Sequence, residues 1–190
     1  KEYSIVMQYN PSDANAVKGM TRALVIKAQK DADGAFFLSN NYESAEGLIQ
    51  RASQLNPNDM ELRLADAKLR AMAGKTVDLS TIGTPTNDAE RIAYAEACLA
   101  QYKYHEATQA METVINNCQT SGQAFAVADM ALMIRDLDSS ETAYKRGGTF
   151  GAEEDISRSR RGLDRVSSAR DKAKQEYTFD KDLSNRKQYP

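Results

Sequence analysis

The side chains most often used in catalysis or metal binding are few in this chain: one histidine, His105, and two cysteines, Cys98 and Cys118. A single histidine excludes a multi-histidine zinc site and leaves at most one cysteine–histidine pair for nucleophilic chemistry. His105 follows Tyr104 at the start of a predicted helix, where we expect a solvated surface position. The sequence therefore predicts a non-enzymatic protein with no catalytic residues, no metal site and no cofactor.

The two cysteines are expected to stay unpaired. Cys98 lies near the turn of a predicted helix pair and Cys118 lies at the far end of the partner helix. At about 1.5 Å per residue, roughly 16 Å should separate them along the pair. A disulfide needs Cα atoms within about 7 Å. Two free thiols that serve packing are the expected state, which is a weak indication of a reducing compartment.

Two other segments have the composition of ligand-binding motifs. The glycine-rich stretch 147–151 lacks the flanking strand and the Lys-Ser/Thr pair of a phosphate-binding loop, so we expect a turn between helix pairs. Residues 157–174 hold seven basic and two acidic residues. One side of this expected helix carries a basic patch, formed by Arg158, Arg161, Arg165 and Lys172. We interpret the patch as a solvated face; the alternative is a binding site for nucleic acid or for an acidic partner. No aromatic residue is interleaved with the patch to stack on bases, which disfavours nucleic acid.

The composition is that of a globular chain. It has 190 residues, of which 41% are hydrophobic and 27% charged, with a net charge of −2. No stretch approaches the roughly 18 to 20 consecutive apolar residues of a membrane-spanning helix, so we expect no membrane span. The near-neutral charge argues against a protein that coats nucleic acid. The chain begins with Lys1 and shows no secretion signal there, so we expect it to be an excerpt of a longer protein.

Helical patterns dominate the chain, whereas alternating strand patterns are nearly absent. Asn, Asp, Pro and Gly clusters divide it into expected helices at about 14–39, 42–55, 59–73, 88–101, 104–117, 121–135, 138–146 and 153–178. The stretch 75–87 is expected to be a long loop with at most a short turn at 77–82. The predicted class is all-α.

One spacing of large and small residues recurs in the predicted second helices. Its three copies are Tyr42, Ala45, Ile49 and Ala52; Tyr104, Ala107, Met111 and Val114; and Leu137, Ser140, Tyr144 and Gly147. The second and third copies start 33 residues apart, close to the period of about 34 residues of a helix–turn–helix solenoid. The expected long helices also resemble each other, because 18–23 aligns with 161–166. Small residues of the first helices, Ala95 and Ala128, are expected where the partner helix crosses.

With this spacing and the Asn-Pro-x-Asp turns at 10–13 and 56–59, the chain resembles a tetratricopeptide-repeat protein over most of its length. The resemblance implies a right-handed superhelical α-solenoid of antiparallel helix pairs, here with two over-long helices. We expect a single domain, 1–190. Its predicted parts are a partial repeat at 1–11, a long hairpin at 12–57, a lone helix and loop at 58–87, hairpins at 88–119 and 120–151, a long helix at 152–178 and the start of another repeat at 182–190.

Tetratricopeptide proteins usually act as interaction scaffolds, so the resemblance implies a scaffold or adaptor that binds a peptide or a partner helix in its concave face. The residues expected on that face are Lys18, Arg22, Val25, Ile92, Glu96, Leu99, Phe125, Asp129 and Met133. Some family members clamp a C-terminal carboxylate. Here Glu96 and Asp129 stand where that clamp needs an amide, which disfavours a chaperone-tail receptor.

The sequence leaves open an alternative function, the compartment and self-association. The alternative function is binding of nucleic acid or an acidic partner through the basic helix 157–174, and a steep salt dependence would distinguish it from the scaffold. The resemblance suggests a bacterial assembly or envelope protein, but the compartment is left open between cell envelope, periplasm and cytoplasm. Apolar faces at the two ends are expected to permit end-to-end self-association.

Overall fold

The computed structural model describes residues 2–20, 23, 54 and 57–187, with side chains up to residue 178. Every regular element in these ranges is helical, so the all-α prediction is confirmed for them. The elements are α1 (Glu2–Tyr9), α2 (Met60–Met72), a 3-10 turn (Leu79–Thr81), α3 (Asp88–Ala100), α4 (Tyr104–Asn117), α5 (Ser121–Met133), α6 (Leu137–Gly148) and α7 (Glu153–Lys187). Residues 14–20 are also helical. Arg22, Val25 and, apart from residue 54, the predicted helix at 42–55 lie outside the described residues, as does most of the predicted helix at 14–39.

The helices α2, α3 and α5 share one design. Each has 13 residues and begins after a polar residue whose side chain accepts a hydrogen bond from the backbone N–H three residues on. These capping residues are Asp59, Asn87 and Thr120. At Thr120 the side chain of Gln123 also accepts from the capping residue's own N–H, which completes a capping box.

The same three helices end in the same turn. The second residue after each helix is left-handed: Gly74 with φ 77°, Tyr102 with φ 60° and Arg135 with φ 61°. The N–H of the following residue reaches back five positions, with N···O distances of 2.9 Å for Lys75, 3.0 Å for Lys103 and 2.9 Å for Asp136. This is the six-to-one bond of a Schellman motif. Caps, helix starts and turns of the α3–α4 and α5–α6 pairs therefore recur 33 residues apart.

A second helix is missing after α2. A loop follows instead, with only the short 3-10 turn Leu79–Thr81, which Asp78 caps by accepting from the N–H of Ser80 at 3.0 Å. Leu79 and Ile82 are buried. The predicted loop with at most a short turn is therefore confirmed, whereas the helix before it is not alone, because it packs on α3.

The described chain divides into two compact units, residues 1–110 and 111–190, where the sequence predicts a single domain. In the first unit α2 packs on α3, and Val17 and Leu62 form a buried cluster with Met7 against it. In the second unit α5 packs on α6 and α6 packs on α7. Its core includes Phe125, Tyr144 and Val166, all with about 1% exposure.

Glycines allow aromatic rings to lie directly against helix backbones. A Cβ added at Gly147 would overlap the Phe125 ring, and one at Gly162 would overlap the Tyr144 ring. In the first unit, a Cβ at Gly19 would likewise overlap the ring of Tyr3. Each glycine therefore serves close packing.

Two sequence predictions need correction. The expected turn at 147–151 begins only at Thr149, because Gly147 and Gly148 are the last residues of α6. Helix α7 runs to Lys187, whereas the sequence predicts its end near 178 and a new helix from about 182. The physical reason is that neither Gly nor Pro interrupts the backbone between residues 163 and 189.

Candidate interaction surface

In the first unit, the residues predicted to line a groove are largely engaged inside the protein. Lys18 Nζ lies 2.7 Å from Asp59 Oδ2 and 3.3 Å from Glu61 Oε1. Leu99 is buried, and Ile92 is half-buried. Leu99 thus contributes its side chain to the core rather than to an open face.

Glu96, also predicted to face the groove, is the partner of a buried cation. Lys68 lies on α2 with a side chain only 2% exposed, and its Nζ donates to Glu96 Oε2 at 2.7 Å. Glu96 lies on α3 and is 36% exposed. A buried ammonium needs such a carboxylate, because burying an unpaired charge costs several kcal/mol, as a rough guide. Sequence reasoning missed Lys68, although it falls between the buried residues Ala67 and Leu69.

In the second unit, the predicted groove residues differ in accessibility. Phe125 is buried with 1% exposure, whereas Met133 at the end of α5 is 65% exposed. Asp129 lies one turn from each of them on the same helix, and its side chain is 41% exposed. Of these three predicted residues, Met133 and Asp129 can reach a partner directly.

Asp129 is the centre of a polar cluster that joins α5, α6 and α7. Tyr144 Oη donates to Asp129 Oδ1 at 2.5 Å, and Arg165 Nη1 donates to the same oxygen at 3.1 Å. Arg158 Nη2 donates to Asp129 Oδ2 at 3.1 Å, and its guanidinium lies 4.6 Å from the centroid of the Phe125 ring. Arg165 Nη1 also donates to Tyr144 Oη at 3.2 Å. The cluster therefore unites two residues predicted for the groove with two predicted for the basic patch.

The environment of Tyr144 keeps its phenol neutral. Burial raises the pKa of Tyr144 to about 12, and its hydrogen bond to Asp129 and the negative charge of that carboxylate act in the same direction. The cationic Arg165 and Arg158 oppose this rise. Tyr144 therefore acts as a hydrogen-bond donor over the physiological pH range.

The basic helix carries less free charge than its sequence suggests. Arg158 and Arg165 pair with Asp129, and Arg170 pairs with Asp138 at 2.5 Å and with Glu141. In contrast, Arg161 and Lys172 are exposed and have no ion-pair partner among the described residues. The predicted basic patch thus consists of two arginines that are held in place and two solvated cations.

The two cysteines are buried, and the histidine is exposed as the sequence predicts. Both Cys98 and Cys118 are buried and free, which confirms the prediction that they do not form a disulfide. Burial raises the pKa of the Cys98 thiol, which disfavours the reactive thiolate. His105 is exposed, with a ring nitrogen 3.1 Å from Gln109 Nε2. Within the described residues, no three His, Cys, Asp or Glu side chains group as metal ligands would.

A shallow cleft of about 510 Å³ lies between α2 and the loop that follows it. Its charged lining comprises Arg63, Asp66, Arg70, Lys75 and Asp78. Several of these groups are engaged locally: Arg70 Nε donates to Asp66 Oδ2 at 2.7 Å, and Arg63 Nη2 donates to the Thr81 carbonyl at 3.0 Å. The cleft is therefore a polar surface depression in which several lining side chains are engaged by one ion pair and one hydrogen bond to the backbone.

Comparison with known proteins gives no relative: no family model, no curated protein and no solved structure matches this chain. In the described part of the chain, none of the helices combines the length and the apolar character needed to cross a membrane.

Proposed function

We propose that this chain is a protein-interaction scaffold, a tetratricopeptide-like array that binds a peptide or a partner helix in its concave face and forms part of a larger multi-repeat protein. One observation carries the proposal. The α3–α4 and α5–α6 pairs repeat the same caps, helix starts and left-handed turns at a spacing of 33 residues. Helix pairs of this period stack in solenoids, whose extended surfaces bind other proteins.

The accessible part of the proposed face combines an apolar residue with positioned charges. Met133 offers a flexible apolar side chain that adapts to different partners. Asp129, one turn before Met133 on α5, is part-exposed, and its ion pairs with Arg158 and Arg165 fix its orientation. A partner would therefore meet an adaptable apolar contact one helical turn from a carboxylate whose geometry is set before binding.

The test is affinity capture with this 190-residue chain at low and high salt, comparing the wild type with Met133→Glu. Met133 is 65% exposed, so the substitution should leave folding intact. The matched control is Ile156→Glu, which adds the same charge at another exposed apolar residue, 45% accessible. We expect a protein partner that survives high salt, is lost with Met133→Glu and is retained with Ile156→Glu.

Other outcomes count against the scaffold. Loss of the partner in both variants would show that any added negative charge prevents binding. If both variants retained the partner equally, Met133 would not be part of the binding surface. If only nucleic acid were captured and salt released it, the basic helix would be the functional surface. Sedimentation at several protein concentrations would show whether the captured partner is a second copy of the chain.

A further inference from the structure

We propose that the basic patch on α7, formed by Arg158, Arg161, Arg165 and Lys172, binds an acidic peptide segment and that Asp129 is a positioning residue for two of its arginines. This inference rests on the scaffold function proposed above and specifies the chemistry of the partner. It follows from the arrangement of charges around Asp129.

The patch is a row of cations along one side of a helix. Steps of three, four and seven residues separate its members, which keeps all four on one stripe. At about 1.5 Å per residue the row is roughly 21 Å long. All four side chains are exposed, including Arg158 at 48% and Arg165 at 60%.

Two of these arginines are held in place before any partner arrives. Arg158 is fixed by Asp129 and by the Phe125 ring beneath it, and Arg165 is fixed by Asp129 and by the Tyr144 hydroxyl. A guanidinium has five N–H donors, so each arginine keeps donors for a further carboxylate. Because these side chains are already ordered, they lose less conformational entropy on binding than free ones would.

The surroundings favour a peptide over a nucleic acid. Phe125, the aromatic ring next to the patch, is buried at 1% exposure and cannot stack on a base. The carboxylates of an acidic peptide are separate groups, and each can accept two hydrogen bonds from one guanidinium of the patch.

The binding test uses fluorescence anisotropy with a labelled oligoglutamate peptide, and labelled oligothymidylate as the competing class. The variant R161Q/K172Q removes the two patch cations that have no ion-pair partner in the described structure, so the Asp129 cluster stays intact. The matched control, R160Q/K174Q, removes the same charge from exposed residues on another side of α7. We expect R161Q/K172Q to weaken oligoglutamate binding about fivefold and R160Q/K174Q to leave it unchanged.

The positioning role of Asp129 is tested with the same probe. Asp129→Asn removes the shared carboxylate, and we expect weaker oligoglutamate binding, with Asp129→Glu restoring it. Tighter binding by Asp129→Asn would show that this carboxylate competes with the ligand and would overturn the positioning role. Circular dichroism melting would confirm that each variant is folded.

Three results would overturn the binding proposal: no oligoglutamate binding by the wild type, equal weakening by both double variants, or tighter binding of oligothymidylate. None of these depends on the captured partner of the scaffold test. If capture succeeded through Met133 while oligoglutamate failed to bind, the scaffold function would stand and only its acidic-peptide specificity would fall. If capture failed as well, the scaffold function would fall with it.

Discussion

The ring of Tyr144 lies against the backbone of Gly162, in the space where any other residue would place its Cβ. The ring comes from α6 and the glycine from α7, so the contact sets how closely these two helices approach. Phe125 on α5 makes the same contact with Gly147 on α6. Two successive helix crossings in the second unit thus depend on an aromatic ring seated on a glycine.

Gly162→Ala should destabilise the protein, because the added methyl group overlaps the Tyr144 ring and forces the helices apart. We expect a loss of about 1–3 kcal/mol in the free energy of unfolding, measured by urea denaturation. Gly122→Ala is the control, since among the described residues Thr120 Oγ1, at 4.0 Å, is the nearest heavy atom to its Cβ position. The control should be neutral or slightly stabilising. Equal effects of the two variants would contradict the packing role.

The left-handed turns predict opposite effects of glycine at equivalent sites. Arg135→Gly should stabilise the protein by up to about 1 kcal/mol, because a left-handed conformation strains a residue with a side chain. Gly74→Ala, at the matching turn, should destabilise by about 1 kcal/mol. Thermal unfolding of both variants checks this pair. A destabilised Arg135→Gly would mean that the entropy glycine adds to the unfolded chain, together with the lost contact to Glu176 at 3.4 Å, outweighs the strain.

Substituting either partner of the buried Lys68–Glu96 ion pair should change the free energy of unfolding by different amounts. Glu96→Gln should cost about 1–2 kcal/mol, because it leaves the Lys68 ammonium buried without its carboxylate. Lys68→Met should be nearly neutral, because a buried ammonium is replaced by an apolar side chain of similar length. Urea denaturation measures both, with the exposed Glu112→Gln as control. A larger loss for Lys68→Met than for Glu96→Gln would show that the pair itself stabilises the fold.

Tyr144 predicts a loss of stability at alkaline pH. Its pKa is about 12 in the folded protein and near 10 when unfolded, so the unfolded chain loses the proton first as pH rises. The stabilisation is therefore complete below about pH 10 and is lost between about pH 10 and 12. Urea denaturation across this range should show the wild type losing up to about 2 kcal/mol more than Tyr144→Phe. Tyr177→Phe, at an exposed tyrosine, should behave like the wild type.

The thiols should be unreactive in the folded protein. Cys98 and Cys118 are both buried, and burial raises the pKa of Cys98. A colorimetric thiol reagent should label neither in native buffer and both in denaturant. Met133→Cys, at an exposed site, should add one rapidly reacting thiol. Rapid labelling of the native wild type would indicate local opening around α3 or the end of α4.

Local signals predicted the helices of 59–148 closely, because polar capping residues mark several of their starts and Gly74 marks the end of α2, whereas the left-handed Tyr102 and Arg135 carry no such signal in the sequence. The crossing of α5 and α6 also follows the predicted spacing, since Ser140 Oγ donates to the Ala128 carbonyl at 2.9 Å. The packing of Gly147 was predicted only in part: the recurring spacing places it in a second helix, whereas the glycine-rich stretch 147–151 indicates a turn. The pairing of Arg158 and Arg165 with Asp129 joins residues 29 and 36 positions apart, beyond the reach of a helical pattern.

The Lys68–Glu96 pair bears on how similar repeats keep their order. Helices α2, α3 and α5 share length, caps and turns, so shape alone would allow one to take another's place beside a neighbour. The ammonium of α2 is buried only where the facing helix supplies a carboxylate, as α3 does with Glu96. A wrong neighbour would leave that charge unpaired, at a cost of roughly 3–5 kcal/mol in a fully buried setting. We therefore expect the Lys68–Glu96 pair to favour packing of α2 on α3 over packing on another helix during folding.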